Sequence, residues 1–600
     1  MKPAVLPIML ASTLTVLTGC GSDSDDNKQT KTFSALNLEV VGTYVSGNEF
    51  DTSSAEIVSY DQTTDRLYVV NAEDKTIDIL RFDNSGIPLK DGTINLQAAA
   101  THAGISIGAA NSVVAKDALV AVAIENDNKQ GNGIIALYDS NDLSLINTFT
   151  AGALPDMVTM TDDANFIVVA NEGEPSGDYT VDPEGSVTLV NISSGTSNSN
   201  AVVTQIDFKA FNQGQSRHSE LNNVRLPSPF GASVAQDLEP EYITITTENK
   251  AVVALQENNA FAIIDIATAS VESIKGLGEK SWAPVADGGQ GYELDLTNKD
   301  ETLTYASYPQ LAGYYMPDSL ASFEVDGATY IISANEGDGR EYVYETTQSV
   351  CESANHTWDG DDFASTDPEY TTEEDDCISY TDEARGKNLN VDPAHPLMNE
   401  SVYGEDGTIA NKNAIGRVKV IADDMDIAAN ETVHIFGARS FSIWNMNAEQ
   451  VFDSGDELSK IANTTSHFNV SNDNQDNDDR SDDKGVEPEA IEVASILDKK
   501  VAFIGLERQG GIAAYDVTNP AESKLLTYIN NRDFTADICT AVDGTDCDND
   551  EYNPAAGDLG PESIEYYTRN EKHYIAVGNE VSGTTTVYEI QFEEETANNK

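Results

Sequence analysis

The stretch V-E-P-E-A-I-E-V-A-S-I-L-D-K-K-V-A-F-I-G-L-E-R-Q-G-G-I-A-A-Y-D-V-T-N-P, residues 486–520, decides the fold. Its apolar runs are short, rich in β-branched residues, and separated by turn chemistry at L-D-K-K (497–500) and Q-G-G (509–511). The pattern predicts three strands, 490–495, 501–506 and 512–517. With a fourth strand from the following sequence, they form one blade of a β-propeller.

Working outward, the same grammar returns six more times, and a repeat of this length is the signature of a radial array. Six further openings, A-E-I (55–57), A-N-S-V (110–113), P-D-M-V (155–158), P-E-Y-I (240–243), P-D-S-L (317–320) and P-E-S-I (561–564), each lead into an apolar strand. Those strands end in an acid, as in V-A-V-A-I-E (120–125), F-I-V-V-A-N-E (166–172) and Y-I-I-S-A-N-E (330–336). The expected fold is all-β, a seven-bladed propeller spanning residues 36–593, with a tail at 594–600. The last copy supplies three strands. The unassigned strand L-E-V-V-G-T-Y (38–44) is therefore expected to fill the outer edge of blade seven and close the ring, since an unpaired edge invites aggregation.

The longest interruption, 343–416, is expected as an insertion in blade five. Strand character resumes at 417–421 and 434–445, so an eighth sheet is the alternative to seven. The run S-N-D-N-Q-D-N-D-D-R-S-D-D (471–483) is too polar to fold unaided and reads as a solvated loop.

The N-terminus carries Lys2, an apolar run and L-T-G-C (17–20). Residues 1–19 read as a lipoprotein signal peptide, with a lipid on Cys20 and a flexible tether over 20–35. Gly21, in place of an aspartate, favours the outer membrane, with the lipid as the sole membrane contact. Acids outnumber bases 102 to 34, for a net charge of -68. That field repels nucleic acid and anionic lipid. Of five cysteines, the four other than Cys20 are expected as two local disulfides, Cys351–Cys377 and Cys539–Cys547.

Several strings, N-E-G-D-G-R-E-Y (335–342), A-R-S-F-S-I-W-N (438–445), F-D-S-G-D-E (452–457), G-V-E-P-E (485–489) and G-P-E-S-I-E (560–565), resemble the choice-of-anchor I family. These are exported bacterial propellers related to mesenchyme-specific cell-surface glycoproteins. The resemblance spans nearly all of the mature chain and implies a seven-bladed propeller at the surface or in the periplasm. It supplies no reaction.

The residues assign no catalytic group. Metallophosphoesterase, H-E-x-x-H and phosphate-loop signatures are missing, and the seven histidines lack ligand spacing. G-I-S-I-G (104–108) fits a nucleophile elbow in letters only, because strand-like sequence follows where a helix is required. What remains is acids. The strand heads Glu56, Asn111, Asp156, Glu241, Asp318, Glu489 and Glu562 are expected at one channel mouth, and the strand ends Glu125, Glu172, Glu257, Glu336, Glu507 and Glu580 beside them. Carboxylates this crowded call for a cation, and Ca2+ suits an all-oxygen site, with Glu241, Glu489 and Glu562 as ligands. Asp546, Asp548 and Asp550 offer a second, EF-hand-like set that lacks the glycine and final glutamate. The competing reading has each acid accepting backbone N–H bonds, with Arg340, Arg439 and Arg508 pairing the glutamates structurally. No organic cofactor is expected. The preferred function is a lipid-anchored module binding a protein, glycan or small ligand, calcium-dependent if the acids hold metal. The alternatives are a calcium-dependent phosphoesterase of the esterase-like phytase type and a purely structural envelope protein.

Overall fold

A computed structural model describes residues 31–285, 291–359, 376–404, 406–464, 466–540, 542–543, 546–547 and 551–596. The expected signal segment and Cys20 lie outside them, as do Asp548 and Asp550.

Among the described residues there are seven four-stranded antiparallel sheets. Their first strands are Val58–Asp61, Ile107–Lys116, Pro155–Met160, Ile243–Ile245, Leu320–Val325, Pro488–Ile496 and Pro561–Arg569. The stretch that opened the reading forms Pro488–Ile496, Lys499–Leu506 and Ile512–Asp516, and Lys524–Ile529 is the fourth strand. Middle strands such as Phe166–Asn171 and Lys250–Leu255 are apolar almost throughout. The reason is that each sheet is covered on both faces by its neighbours, the condition that removes hydrophobic alternation from a strand.

The core is divided accordingly. Seven hydrophobic clusters each join one sheet to the next. Tyr68 and Ile79 of sheet one meet Val113 and Val122 of sheet two, and so on round to Ile491 of sheet six, which meets Phe441 of sheet five. The last cluster packs Tyr567 and Tyr574 of sheet seven against Tyr60 and Leu67 of sheet one. Residues from all seven first strands line one axial cavity of about 330 Å³. The architecture is propeller-like. The strand Leu36–Val45 pairs antiparallel with Thr584–Phe592, so both chain ends share sheet seven.

Two expectations need correcting. The insertion in sheet five is longer than 343–416, because the sheet's second strand is Ala328–Asn335 and its third is Ser440–Asn445. Within the insertion, the described strands form only two- and three-stranded sheets, joined by a core around Leu389, Val418 and Ile435. An eighth four-stranded sheet is absent among the described residues. The run 471–483 is also no solvated loop: Asn472, Asp478, Ser481 and Asp482 are buried. Several of its polar groups find partners inside the protein, while Asp473, Asp476 and Asn477 stay exposed. Asp482 takes Arg385 and Arg417, and Asn469 donates to Ser481 Oγ at 2.7 Å. A polar sequence can be interior when each charge brings its own counter-charge.

Cys351 and Cys377 form the expected disulfide. Cys539 is also disulfide-bonded, and the side chain of its expected partner, Cys547, lies outside the described residues. No helix among the described residues is long and apolar enough to cross a membrane.

Candidate functional site

At one end of the axis lies a cavity of about 470 Å³. Six of the seven strand heads line it: Glu56, Asn111, Asp156, Glu241, Asp318 and Glu562. Strand ends Glu172 and Glu257 join them, with Glu174 and Asp338 nearby. The insertion closes one side with Arg340, Tyr342, Glu383 and Lys419. The repeat thus delivers six of its seven strand heads to one mouth.

The electrostatics follow from crowding. Burial, then repulsion from neighbouring carboxylates, holds Glu56, Glu172, Glu241 and Glu562 well above the usual range. The same causes push Asp156 up to about 7. Glu174 rises to about 7 and Glu257 to about 8, burial again leading and Arg340 pulling the other way. Glu241 Oε2 and Glu257 Oε2 are buried and receive no hydrogen bond. The competing reading has each acid accept backbone N–H bonds from the neighbouring blade, whereas Glu125 Oε1 accepts from Ala109 N–H of its own sheet, at 2.9 Å. Glu580 instead accepts from Ser53 Oγ at 2.5 Å.

The arginines behave differently from the expectation in two of three cases. Arg508 does pair with a strand-end acid, Glu507, at 3.3 Å, and also with Glu487 at 3.2 Å. Arg340 reaches past the strand ends to Glu239 at 2.7 Å and Asp237 at 3.3 Å. Tyr342 donates to the other Glu239 oxygen at 2.9 Å. Among the described residues Arg439 meets no carboxylate; it donates to the carbonyls of Asp295, Ser481 and Asp483, and its own backbone is left-handed.

Glu489 sits away from the lining, against Asp318 and Glu336, with one oxygen of each residue within 4.8 Å of the others. Glu241, Glu489 and Glu562 are therefore not gathered as a single triad. Glu336 is fixed by the backbone around it. Gly337 and Gly437 adopt positive φ, and a Cβ on Gly437 would fall 1.8 Å from Glu336 O. The insertion can leave and rejoin the sheet directly behind Glu336 only because both positions are glycine.

Sequence reasoning missed the residues that set the local charge. Lys484 bonds Glu336 and lies 3.5 Å from Glu487, while Glu487 also takes Arg480 at 3.1 Å. Burial opposes ionisation of Glu487, but Arg480, Lys484 and Arg508 outweigh it and hold its carboxyl well below normal. A readable signal was present. E-P-E occurs at 239–241 and again at 487–489. In both copies the first glutamate is neutralised by arginine, and the second carries a buried Oε2 without a hydrogen bond.

A family model for the choice-of-anchor I domain matches residues 56–520. A "Mesenchyme-specific cell surface glycoprotein" of Strongylocentrotus purpuratus is 25% identical over 356 residues, 54% of this chain. The match covers 42% of that relative's own length. Among solved structures, Kuenenia stuttgartiensis hydrazine synthase aligns over 92% of this chain and 100% of that one, at 10% identity and a TM-score of 0.41. On the extent of the family match, the chain belongs to the choice-of-anchor I domain family.

Proposed function

We propose that this protein is an exported surface module, tethered by a lipid on Cys20, whose closed seven-bladed propeller binds a positively charged ligand or partner group at its acidic mouth. The observation that carries this reading is the 470 Å³ cavity walled by carboxylates from successive sheets. Such a wall focuses a negative field that draws cations and rejects anions. Ring closure is supported by the inter-sheet clusters and by the pairing of Leu36–Val45 with Thr584–Phe592. Surface placement is supported by the similarity to the sea-urchin cell surface glycoprotein and by the lipobox-like L-T-G-C.

The calcium-dependent phosphoesterase reading is weaker. Among the described residues, Arg340 and Lys419 are the basic ones lining the mouth, and each is already paired, with Glu239 and Glu383 respectively. A phosphate would find no free cation among the described lining residues.

Calorimetric titration with spermine tests the mouth. Saturable binding is expected, weakened at least tenfold by Glu174→Gln combined with Asp338→Asn. Absence of binding, or binding indifferent to that pair, overturns the reading.

A further inference from the structure

Two carboxylate triads lie beside the mouth, and their surroundings differ. In the first, Glu336, Glu487 and Glu507 approach within 4.8 Å. Three cations face them: Lys484 on Glu336 and Glu487, Arg480 on Glu487, and Arg508 on Glu487 and Glu507. Each of these carboxylates has a cation in contact, although Lys484 also reaches Asp338 at 3.4 Å and Arg480 reaches Asp483 at 3.1 Å, and Asn472 donates to Glu507 at 2.9 Å. This group is complete as it stands.

The second triad, Asp318, Glu336 and Glu489, shares only Glu336 with the first. Once Lys484 is assigned to Glu336, Asp318 and Glu489 have no arginine or lysine in contact among the described residues. Glu489 is 4% exposed, and its Oε2 receives no N–H or O–H from any neighbour. A buried carboxylate oxygen with no donor is expensive, and two such carboxylates side by side are more so. Asp318 and Glu489 can hydrogen-bond each other only by sharing one proton, which leaves one charge without a counter-charge in contact.

We propose that Asp318, Glu336 and Glu489 bind one divalent cation of the calcium class beneath the mouth. Ligand oxygens on a calcium ion lie about 2.3–2.6 Å from it, so no two can be more than about 5 Å apart. The three oxygens, all within 4.8 Å of one another, meet that limit. The donor set is all oxygen, which fits calcium and excludes the imidazole or thiolate preference of zinc. Glu336 bridges ion and ammonium, one oxygen toward Lys484 and the other held by Gln256 Nε2 at 2.7 Å. The ion ties sheet five, through Asp318 and Glu336, to sheet six, through Glu489. The site shares Asp318 with the mouth, while Glu336 and Glu489 lie outside the lining, and it depends on the reading of the mouth only for its purpose.

The test uses the full mature protein, stripped with EDTA and titrated with Tb3+, the luminescence being excited through tyrosine, then competed with Ca2+. One saturable site per chain is expected. Asp318→Asn and Glu489→Gln should each weaken Ca2+ at least tenfold, and Glu125→Gln should change it less than twofold. Ca2+ should raise the melting temperature of the wild type and leave that of Glu489→Gln unmoved. Absence of a saturable site at millimolar Ca2+, or affinity retained in both variants, overturns the proposal. If both variants misfold, an anomalous difference map of calcium-soaked wild-type crystals decides by the presence or absence of a peak between these three side chains. Ca2+ binding without spermine binding would sink the mouth alone; spermine binding without Ca2+ binding would sink this site alone.

Discussion

Arg340 offers the sharpest test of how the mouth is held. Its guanidinium is buried between Glu239 and Asp237, with Nε 2.7 Å from one carboxylate and Nη1 3.3 Å from the other. It also donates to the Asp237 carbonyl at 2.9 Å. Replacing it with methionine keeps most of the volume and strands two buried carboxylates. A unit charge pair about 4 Å apart at an effective dielectric near 20 is worth ~4 kcal/mol. Breaking a buried pair by removing one partner costs about 3–5 kcal/mol in measured cases. Arg340→Met should therefore lower unfolding stability by roughly 3–5 kcal/mol, read from the urea midpoint at constant slope. Adding Glu239→Gln and Asp237→Asn removes the stranded charges and should recover at least half of the loss. A single-variant cost below about 1 kcal/mol, or a triple variant no better than the single, would refute the account, since either means the carboxylates are not truly desolvated.

Other outcomes follow from the same geometry. Asp156, Glu174 and Glu257 titrate at about 7, 7 and 8 when folded, above an unfolded carboxyl value near 4. The folded state holds those protons more tightly. EDTA-treated protein should be most stable near pH 4–5 and should lose stability as pH rises through 7–8; a melting temperature rising over that window would count against the mouth's electrostatics. Gly437→Ala should cost at least about 1–2 kcal/mol through its left-handed backbone alone, with more from the clash at Glu336 O, and an unchanged melt would contradict the close approach. Opening Cys351–Cys377, which spans 26 residues, should cost roughly 3–4 kcal/mol on chain-entropy grounds and speed proteolysis within the insertion. On the proposed lipid at Cys20, which the sequence and not the geometry suggests, Cys20→Ser should move the protein from the membrane fraction to the soluble fraction in fractionated cells.

The sheets were legible because their chemistry repeats. P-E-x-I openings and A-N-E endings mark the strand heads and ends, and the observed strands begin within a few residues of them. The mouth was legible for the same reason, since six of the seven equivalent strand heads line one cavity. What stayed hidden was long-range pairing. Arg340 and Glu239 lie 101 residues apart and Lys484 and Glu336 148 apart, and no local period encodes such partners. The run 471–483 misled for a related reason: composition reports polarity, whereas burial depends on whether Arg385, Arg417 and Arg508 arrive from elsewhere to meet it.

Sheet seven draws its outermost strand from residues 36–45 and its other three from residues 561–592, so its first and last components are more than five hundred residues apart in the chain. A polypeptide threaded through a translocon N-terminus first emerges with the leading strand and must wait for the trailing ones. Until the trailing strands follow, Leu36 and Leu38 have no Ile590 or Phe592 to cover them. A product cut short before Thr584 would therefore leave Leu36–Val45 without the strand it pairs with.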